Sequence, residues 1–221
     1  MLLALPLALM FAGCLGDEGD TVVIPELHET TPESMLPAYL YDSLSRYVAI
    51  YNGNTPPNIE GEYKWSPVLL EYASDDNLPS SFADVYLKFS NQSSRNLCTY
   101  YEEQGSAVTR CDSTMIVGHD NVFTLVGIMT SVNNQRNTKS VIGTLVSGRM
   151  TTAGITDFSY AIYMIDKIDP DNHLMSVGEF RIFYDGDGLV GKYSWYSSKA
   201  KAFLDKGTTG ASLTERKEVS L

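Results

Sequence analysis

Positive charge is scarce in this sequence. Its 221 residues include 16 lysines and arginines against 27 aspartates and glutamates, which gives a net charge of −11. Binding to nucleic acid needs clustered Lys and Arg side chains that neutralise phosphates and release counterions, and the sequence has no such cluster. The composition therefore argues against a nucleic-acid partner. A chain of this length fits one globular domain with appendages.

Residue patterns for catalysis and metal binding are also missing. The three histidines, His28, His119 and His173, are far apart in the sequence. There is no HExxH, CxxC, G-x-S-x-G, Walker A or GxGxxG motif. Because neither a nucleophile with its base nor a set of metal ligands is visible, an enzyme is the least favoured class. We predict a protein without catalytic activity, cofactor or metal.

Two acidic stretches are the parts of the sequence that most resemble a catalytic or metal site. Asp185-Gly186-Asp187-Gly188 resembles part of a calcium loop, but calcium needs about six to eight oxygen ligands and the later ligands of an EF-hand are missing. Since Asp-Gly is a favoured hairpin pair, we interpret this stretch as a hairpin turn. Glu102 and Glu103 are adjacent in a predicted strand, so they point to opposite faces and make poor acid/base partners.

The start of the chain indicates export. Met1 to Gly13 carries no charged side chain and is shorter than the roughly 20 residues that a membrane-spanning helix needs. Phe11-Ala12-Gly13-Cys14 resembles a bacterial lipobox, whose cysteine receives a diacylglycerol and becomes the new N-terminus. We predict a signal peptide over 1–13, lipidation of Cys14 and a lipid-anchored linker over 14–33. The protein would then lie in the cell envelope, anchored to the outer membrane on its periplasmic side or at the cell surface.

An amphipathic helix is predicted next. Apolar residues recur every three or four positions from Leu36 to Tyr51, with polar residues between them. Ser34 is a suitable N-terminal cap, and Asn52-Gly53 is a usual helix end. The polar face lacks the excess of Lys and Arg found in helices that lie on membranes. We therefore expect this helix to pack on the outside of the folded domain.

After Pro57 the pattern changes to short alternating or wholly apolar runs separated by turn residues. An antiparallel meander of this kind leaves two exposed edges unless it closes. We predict a mainly β fold, an up-and-down antiparallel β-barrel of eight or nine strands, in a domain over 34–203 with a flexible tail over 204–221. The predicted strands lie near 62–73, 83–91, 95–103, 107–116, 121–131, 139–152, 157–168, 174–184 and 189–196. Those near 122–129 and 158–165 are apolar on both faces, and the helix is expected to cover one of them.

The two remaining cysteines, Cys98 and Cys111, fall in one predicted hairpin. If Gln104 and Gly105 form its two-residue loop, Cys98 lies directly opposite Cys111 at a non-hydrogen-bonded position, where side chains are closest. An exported protein meets oxidising conditions, which favours a disulfide. We predict a Cys98–Cys111 disulfide, and two buried thiols are the alternative.

Aromatic residues are abundant, with 14 Tyr, 8 Phe and 2 Trp. Alternation should point some of those on strands into the barrel, where they can line a cavity and stack on a ligand. The alternative is that they reflect strand preference and core filling. The candidate ligand-binding residues are Tyr63, Trp65, Tyr86, Tyr100, Tyr160, Tyr163 and Tyr184.

The first predicted strand contains Gly61-Glu62-Tyr63-Lys64-Trp65, which is similar to the G-x-W signature of lipocalins, with Trp65 at the fourth position after the glycine. Together with 59–67, 158–167 and 177–189, it resembles uncharacterised lipocalin-like (calycin) lipoproteins of Bacteroidetes-type bacteria. The resemblance implies a barrel on a lipid-anchored N-terminus and brings no catalytic residue. It also implies that Arg181 or Lys192 packs over Trp65 in a structural role.

Two functional hypotheses follow. In the first, the barrel binds a small apolar or aromatic-stacking ligand without catalysis. In the second, the protein is a surface accessory that contacts glycans or a partner protein through loops such as 75–81 and 133–139, and its barrel interior is solid. A small barrel of this strand number is either filled by side chains or hollow enough for one ligand. The volume of the interior therefore discriminates between the two hypotheses.

Overall fold

The computed structural model describes residues 38–75 and 78–195. The predicted signal peptide, Cys14, the linker and the tail over 204–221 lie outside these residues. The described part contains one helix and eleven strands, and all of the strand pairings are antiparallel. They are α1 (Ala38–Leu44), β1 (Gly61–Trp65), β2 (Val68–Ala73), β3 (Ser81–Phe82), β4 (Val85–Ser90), β5 (Leu97–Gln104), β6 (Ala107–His119), β7 (Val122–Asn133), β8 (Thr138–Met150), β9 (Gly154–Ile168), β10 (Phe180–Asp185) and β11 (Val190–Lys192).

The strands form a closed barrel of eight arms. Three of the arms consist of two consecutive strands each, β1 with β2, β3 with β4 and β10 with β11, and each arm pairs with the next along the chain. The last arm pairs with the first through β11–β1 and β10–β2, which closes the barrel. Closure pairs the strands that would otherwise be edges. The predicted mainly β, up-and-down barrel with eight or nine strands is confirmed.

Alternation along the strands separates the interior from the outer face. In β4, Val85, Leu87 and Phe89 are buried inside the barrel, whereas Lys88 between them is exposed. Because strand side chains alternate with a period of two, this pattern directs one face of each arm inward. The inward faces together form the main hydrophobic core.

Helix α1 covers part of the outer face. Leu40 and Leu44 of the helix, with Val48 just after it, form a second apolar cluster against Val126, Leu145, Ala161 and Ile182. The two strands that are apolar on both faces, β7 and β9, therefore both lie under the helix. The predicted position of the helix on the outside of the barrel is confirmed.

The predicted length of the helix is wrong. The helix ends at Leu44, whereas the apolar spacing predicted a helix as far as Asn52. The backbone N–H of Tyr51 donates to Thr124 Oγ1 at 2.7 Å, and the carbonyl of Gly53 accepts from the N–H of Gly118 at 2.9 Å. These bonds to the barrel replace helical hydrogen bonds, so tertiary contacts override the local helical pattern.

We call the end of the barrel at which β1 begins the closed end. Segment 51–60 runs along this end. Ile59 is fully buried in the main core, and its N–H donates to Gln92 Oε1 at 2.9 Å. The Gln92 side-chain amide donates in turn to the carbonyl of Pro57 at 2.9 Å. The opposite end, which carries residues 74–75 and 78–80 and the loops 105–106, 134–137 and 169–179, is called the open end.

The predicted Cys98–Cys111 disulfide is wrong, because Cys98 is a buried free thiol. The turn of the β5–β6 hairpin is Gly105-Ser106, one residue later than predicted, and Gly105 adopts the positive φ of 59° that suits the first position of such a turn. Tyr100 therefore pairs with Cys111, and a register shift places Cys98 opposite Thr114. Burial raises the pKa of the Cys98 thiol to about 11.

The interpretation of Asp185-Gly186-Asp187-Gly188 as a hairpin turn is also wrong. This stretch joins β10 to β11, which belong to the same arm and both pair with β9. The N–H of Gly186 donates to the carbonyl of Pro67 at 3.0 Å, which holds the interruption against the first arm. Burial and the nearby carboxyl group of Asp187 raise the pKa of Asp185 to about 6.

Candidate functional site

The open end of the barrel contains a cavity of about 200 Å³. Its wall is built from the inward faces of the arms and from the loop between β9 and β10. The apolar part of the wall consists of Trp65, Val68, Phe82, Val85, Ala107, Ile142, Ile162, Met164, Leu174, Met175 and Phe183. The polar part consists of Glu102, Gln104, Thr109, Ser131, Ser140, Tyr160, His173 and Arg181.

Aromatic rings form one side of the cavity. The Trp65 ring lies 5.5 Å from that of Tyr160 and 6.4 Å from that of Phe183, both in edge-on arrangements. Phe82 meets Phe183 edge-on at 5.2 Å. The indole N–H of Trp65 donates to the carbonyl of Tyr184 at 3.3 Å. Edge-on packing and this hydrogen bond hold the rings in place, so the aromatic wall is preformed.

Glu102 is the charged group deepest in the cavity wall, with 8% of its surface exposed. It lies on β5 on the same inward face as Tyr100. The hydroxyl groups of Tyr100 and Tyr160 both donate to Glu102 Oε2, the second of them at 2.8 Å. Burial raises the pKa of Glu102, and the two hydrogen bonds oppose that rise.

The two tyrosines remain hydrogen-bond donors because their own titration is suppressed. Burial, together with the charge on Glu102, raises the pKa of Tyr100 and of Tyr160 well above the usual value. Both donated hydrogen bonds end on one oxygen of the carboxyl group, Oε2. Among the described residues, none donates a hydrogen bond to the other oxygen, Oε1. Glu102 therefore presents an unused acceptor in the wall of the cavity.

Two further charged groups near the mouth of the cavity neutralise each other. Arg181 forms a bidentate pair with Asp75, with its Nε 3.1 Å from Oδ1. Both side chains are largely buried, at 18% and 15% exposed. Hydrogen bonds from Arg181 hold the pKa of Asp75 below its usual value. Because the guanidinium already has a carboxylate partner, Arg181 adds little net positive charge to the cavity.

The β9–β10 loop is ordered around Asp169. The Asp169 carboxylate accepts hydrogen bonds from the backbone N–H groups of His173 and Leu174, each at 2.8 Å, and pairs with Lys167 at 3.1 Å. Against the opposing effect of burial, these contacts lower the pKa of Asp169 to about 2. They fix the part of the loop that carries His173, Leu174 and Met175 into the cavity wall.

The structure separates the predicted ligand-binding residues into three groups. Trp65 and Tyr160 line the cavity. Tyr63 and Tyr100 are buried in the main core, where the Tyr63 hydroxyl donates to the carbonyl of Ile59 at 3.0 Å, near the closed end.

The other three predicted residues lie on the outer face of the barrel and cannot line its interior. Tyr86 packs on Tyr193 and Trp195. Tyr163 packs against the cluster under the helix, and Tyr184 is 38% exposed. The prediction that these three residues contact a ligand is wrong, because alternation along their strands points their side chains away from the interior.

Sequence reasoning missed Glu102 as a site residue. Its adjacency to Glu103 was weighed only as an acid/base pair, and the strand alternation that excluded the pair also places Glu102 on the inward face. Its partner Tyr160 lies 58 residues further along the chain, so this contact left no local signal. Among residues 38–75 and 78–195, no three His, Cys, Asp or Glu side chains form a group that can hold a metal ion.

Comparison with known proteins identifies no relative: no family model, curated protein or solved structure matches the chain. In the described part of the chain, no helix has the length and apolar character needed to cross a membrane.

Proposed function

We propose that this protein is a lipocalin-like binding protein of the cell envelope, which holds one small, largely apolar or aromatic ligand in its barrel and performs no catalysis. The observation that carries the proposal is the cavity of about 200 Å³ at the open end. A mostly apolar concave site with a few convergent polar groups is the usual form of a small-molecule site. The preformed ring wall around Trp65 suits stacking on a planar ligand.

The cavity volume limits the size of the ligand. An apolar protein cavity of about 150 Å³ accommodates benzene, whereas sites for drug-sized molecules start at about 300 Å³. The volume of about 200 Å³ lies between these values. We therefore propose a ligand with a single ring or an equivalent branched chain, and not a sterol, a haem or a long acyl chain.

The rival hypothesis, a surface accessory with a solid interior, is less well supported. It requires side chains to fill the barrel, and the open end contains a cavity instead. The described residues of its loops, 75, 78–81 and 133–139, lie at the open end of the barrel. Among the described residues of these loops, no contact points to such a partner, so small-molecule binding is the function that we propose.

Binding of a ring-sized probe tests this function. We expect isothermal titration of the purified protein with benzyl alcohol to give saturable one-to-one binding. Ser140→Leu adds volume to the cavity wall and should abolish it, because Ser140 lines the cavity. Lys139→Leu, one residue earlier on the exposed face, is the matched control and should bind as the wild type does. Equal binding by the Ser140→Leu variant would contradict the proposal.

We further propose that Cys14 anchors the protein to the outer membrane through its lipid. The support is the apolar run over 1–13 followed by Phe11-Ala12-Gly13-Cys14. Lipoprotein anchoring by more than one acyl chain is stable, because each buried methylene contributes about 0.8 kcal/mol. Expressed in a bacterium that processes lipoproteins, the wild-type chain should fractionate with membranes and Cys14→Ser should not. An unchanged distribution would show that Cys14 is not the anchor.

A further inference from the structure

The unused oxygen of Glu102 points to the chemistry of the ligand. Glu102 is more than nine-tenths buried, and it lines the cavity. Its Oε2 accepts both tyrosine hydrogen bonds, and no described residue donates to Oε1. Oε1 is not one of the fully buried side-chain atoms that lack a partner, so it is open to the cavity and can accept a hydrogen bond from a molecule inside it. A ligand that carries a donor would satisfy it.

The charges around the cavity favour a donor that is also a cation. Arg181 is the one arginine or lysine that the described residues contribute to the cavity wall, and it is paired with Asp75. Glu102 has no cationic partner among the described residues; its contacts are the two tyrosine hydroxyls. Tyrosine donors stabilise a carboxylate but do not neutralise it. An ammonium group on the ligand would supply both the missing hydrogen bond and the missing positive charge.

The rings beside Glu102 suit the same group. The Tyr160 hydroxyl lies 2.8 Å from Glu102 Oε2, and the Tyr160 ring lies 5.5 Å from that of Trp65 and 6.2 Å from that of Phe183. Aromatic faces attract cations, and the attraction is stronger where water is excluded. A carboxylate next to aromatic rings is therefore a combination that selects an organic ammonium ion over a neutral molecule of the same shape.

We propose that the ligand of this barrel is a small organic amine, bound as the ammonium ion with its N–H groups on Glu102 Oε1 and its apolar part against the aromatic wall. This inference rests on the proposed function, because it names the ligand class of the same cavity. It assigns to Glu102 the role of recognising the cation.

Two probes of one shape test the inference. Benzylamine carries an ammonium group at neutral pH, and benzyl alcohol is its neutral counterpart. By isothermal titration at pH 7.5, we expect the wild-type protein to bind benzylamine at least about tenfold more tightly than benzyl alcohol. In Glu102→Gln, which keeps an oxygen that accepts from both tyrosines, the preference should disappear.

Glu103→Gln is the matched control. Glu103 is the next residue on β5, faces outward and accepts a hydrogen bond from Tyr101 at 3.4 Å, so it reproduces on the outer face the tyrosine–glutamate arrangement of the interior. We expect this variant to keep the full preference for benzylamine.

The outcomes separate the two proposals. Equal wild-type affinities for benzylamine and benzyl alcohol would overturn the amine inference and leave the ligand-binding function standing, and so would a preference that survives Glu102→Gln. Failure of both probes to bind the wild-type protein would overturn the ligand-binding function itself. The wild-type ratio needs no variant, so the inference remains testable if Glu102→Gln does not fold.

Discussion

The two ends of this barrel are built from the same arms but are filled differently. At the closed end, Tyr63, Phe89 and Phe123 are at most 1% exposed, and their rings meet in sequence at 5.8 and 6.4 Å. At the open end, the inward positions of the arms β5, β6 and β8 carry Glu102, Thr109 and Ser140 around a cavity. One end is a packed core and the other is a lined space.

The difference shows how a small barrel can combine stability with a binding site. Burial of apolar side chains is the main stabilising contribution to a fold, and close packing adds to it. A cavity and a buried carboxyl group both reduce stability. Because Tyr63, Phe89 and Phe123 pack the closed end, the open end can carry features that recognise a ligand while the barrel remains folded.

Truncation of an aromatic residue at each end gives the largest expected contrast. Phe123→Ala at the closed end should lower the free energy of unfolding by about 3–5 kcal/mol, because a tightly surrounded side chain leaves a new cavity. Phe82→Ala at the open end should cost roughly half of that or less, because Phe82 is only partly buried and already borders a space. Urea unfolding of both variants measures the two losses. Equal losses would show that the two ends are equally well packed.

Adding side-chain volume at each end, instead of removing it, should change the free energy of unfolding by a smaller amount. A Cβ on Gly148 would lie 2.5 Å from Ile155 Cγ2 and 3.4 Å from Phe123 Cε1, so Gly148→Ala should cost about 1–3 kcal/mol through overpacking. Ala107→Val adds its methyl groups at the cavity wall and should stay within about 0.5 kcal/mol of the wild type. The same unfolding measurement applies. A larger cost for Ala107→Val than for Gly148→Ala would reverse the comparison.

The smallest expected effect concerns the pH dependence that Glu102 imposes on the open end. Because the pKa of Glu102 is raised in the folded protein, its contribution to stability is full below its unfolded pKa and is lost as the pH rises through the folded pKa. At pH 8, the free energy of unfolding of Glu102→Gln, measured by urea unfolding, should therefore be about 1 kcal/mol higher than that of the wild type.

The difference between Glu102→Gln and the wild type should shrink as the pH falls below about 4.3, the ordinary pKa of glutamate, because the wild-type carboxyl group then becomes protonated in the unfolded state as well. Glu103→Gln, on the outer face, should track the wild type at both pH values. A wild-type protein that is more stable than Glu102→Gln at pH 8 would show that Glu102 stabilises the fold when it is charged.

Local patterns predicted most of the barrel arms. Alternation in 83–91 matched the buried positions Val85, Leu87 and Phe89 of β4, and the doubly apolar runs predicted the strands beneath the helix. One error arose where a single residue decides the register: the turn lies at Gly105-Ser106, so the hairpin pairing shifts and Cys98 is not opposite Cys111. A second error arose where tertiary contacts override a local pattern: residues 51–53 bond to the barrel, so the helix is shorter than predicted.

The candidate site was much less predictable. Trp65 and Tyr160 were among the expected ligand residues and do line the cavity, but Tyr86, Tyr163 and Tyr184 face outward. A shift of one residue in a strand exchanges the two faces, so a list of aromatic residues cannot select those that point inward unless each register is known.

The sequence by itself determined the acidic surface, the mainly β composition of the domain and the position of its arms, because these follow from charge counts and from the two-residue period of strands. Only the tertiary structure decided that Glu102 meets Tyr160, that Arg181 is neutralised by Asp75 and that the open end is hollow. The physical reason is distance along the chain. A cavity and the pairing of a buried charge depend on the volumes and contacts of residues from many arms. A local sequence pattern covers only one arm, so it cannot predict them.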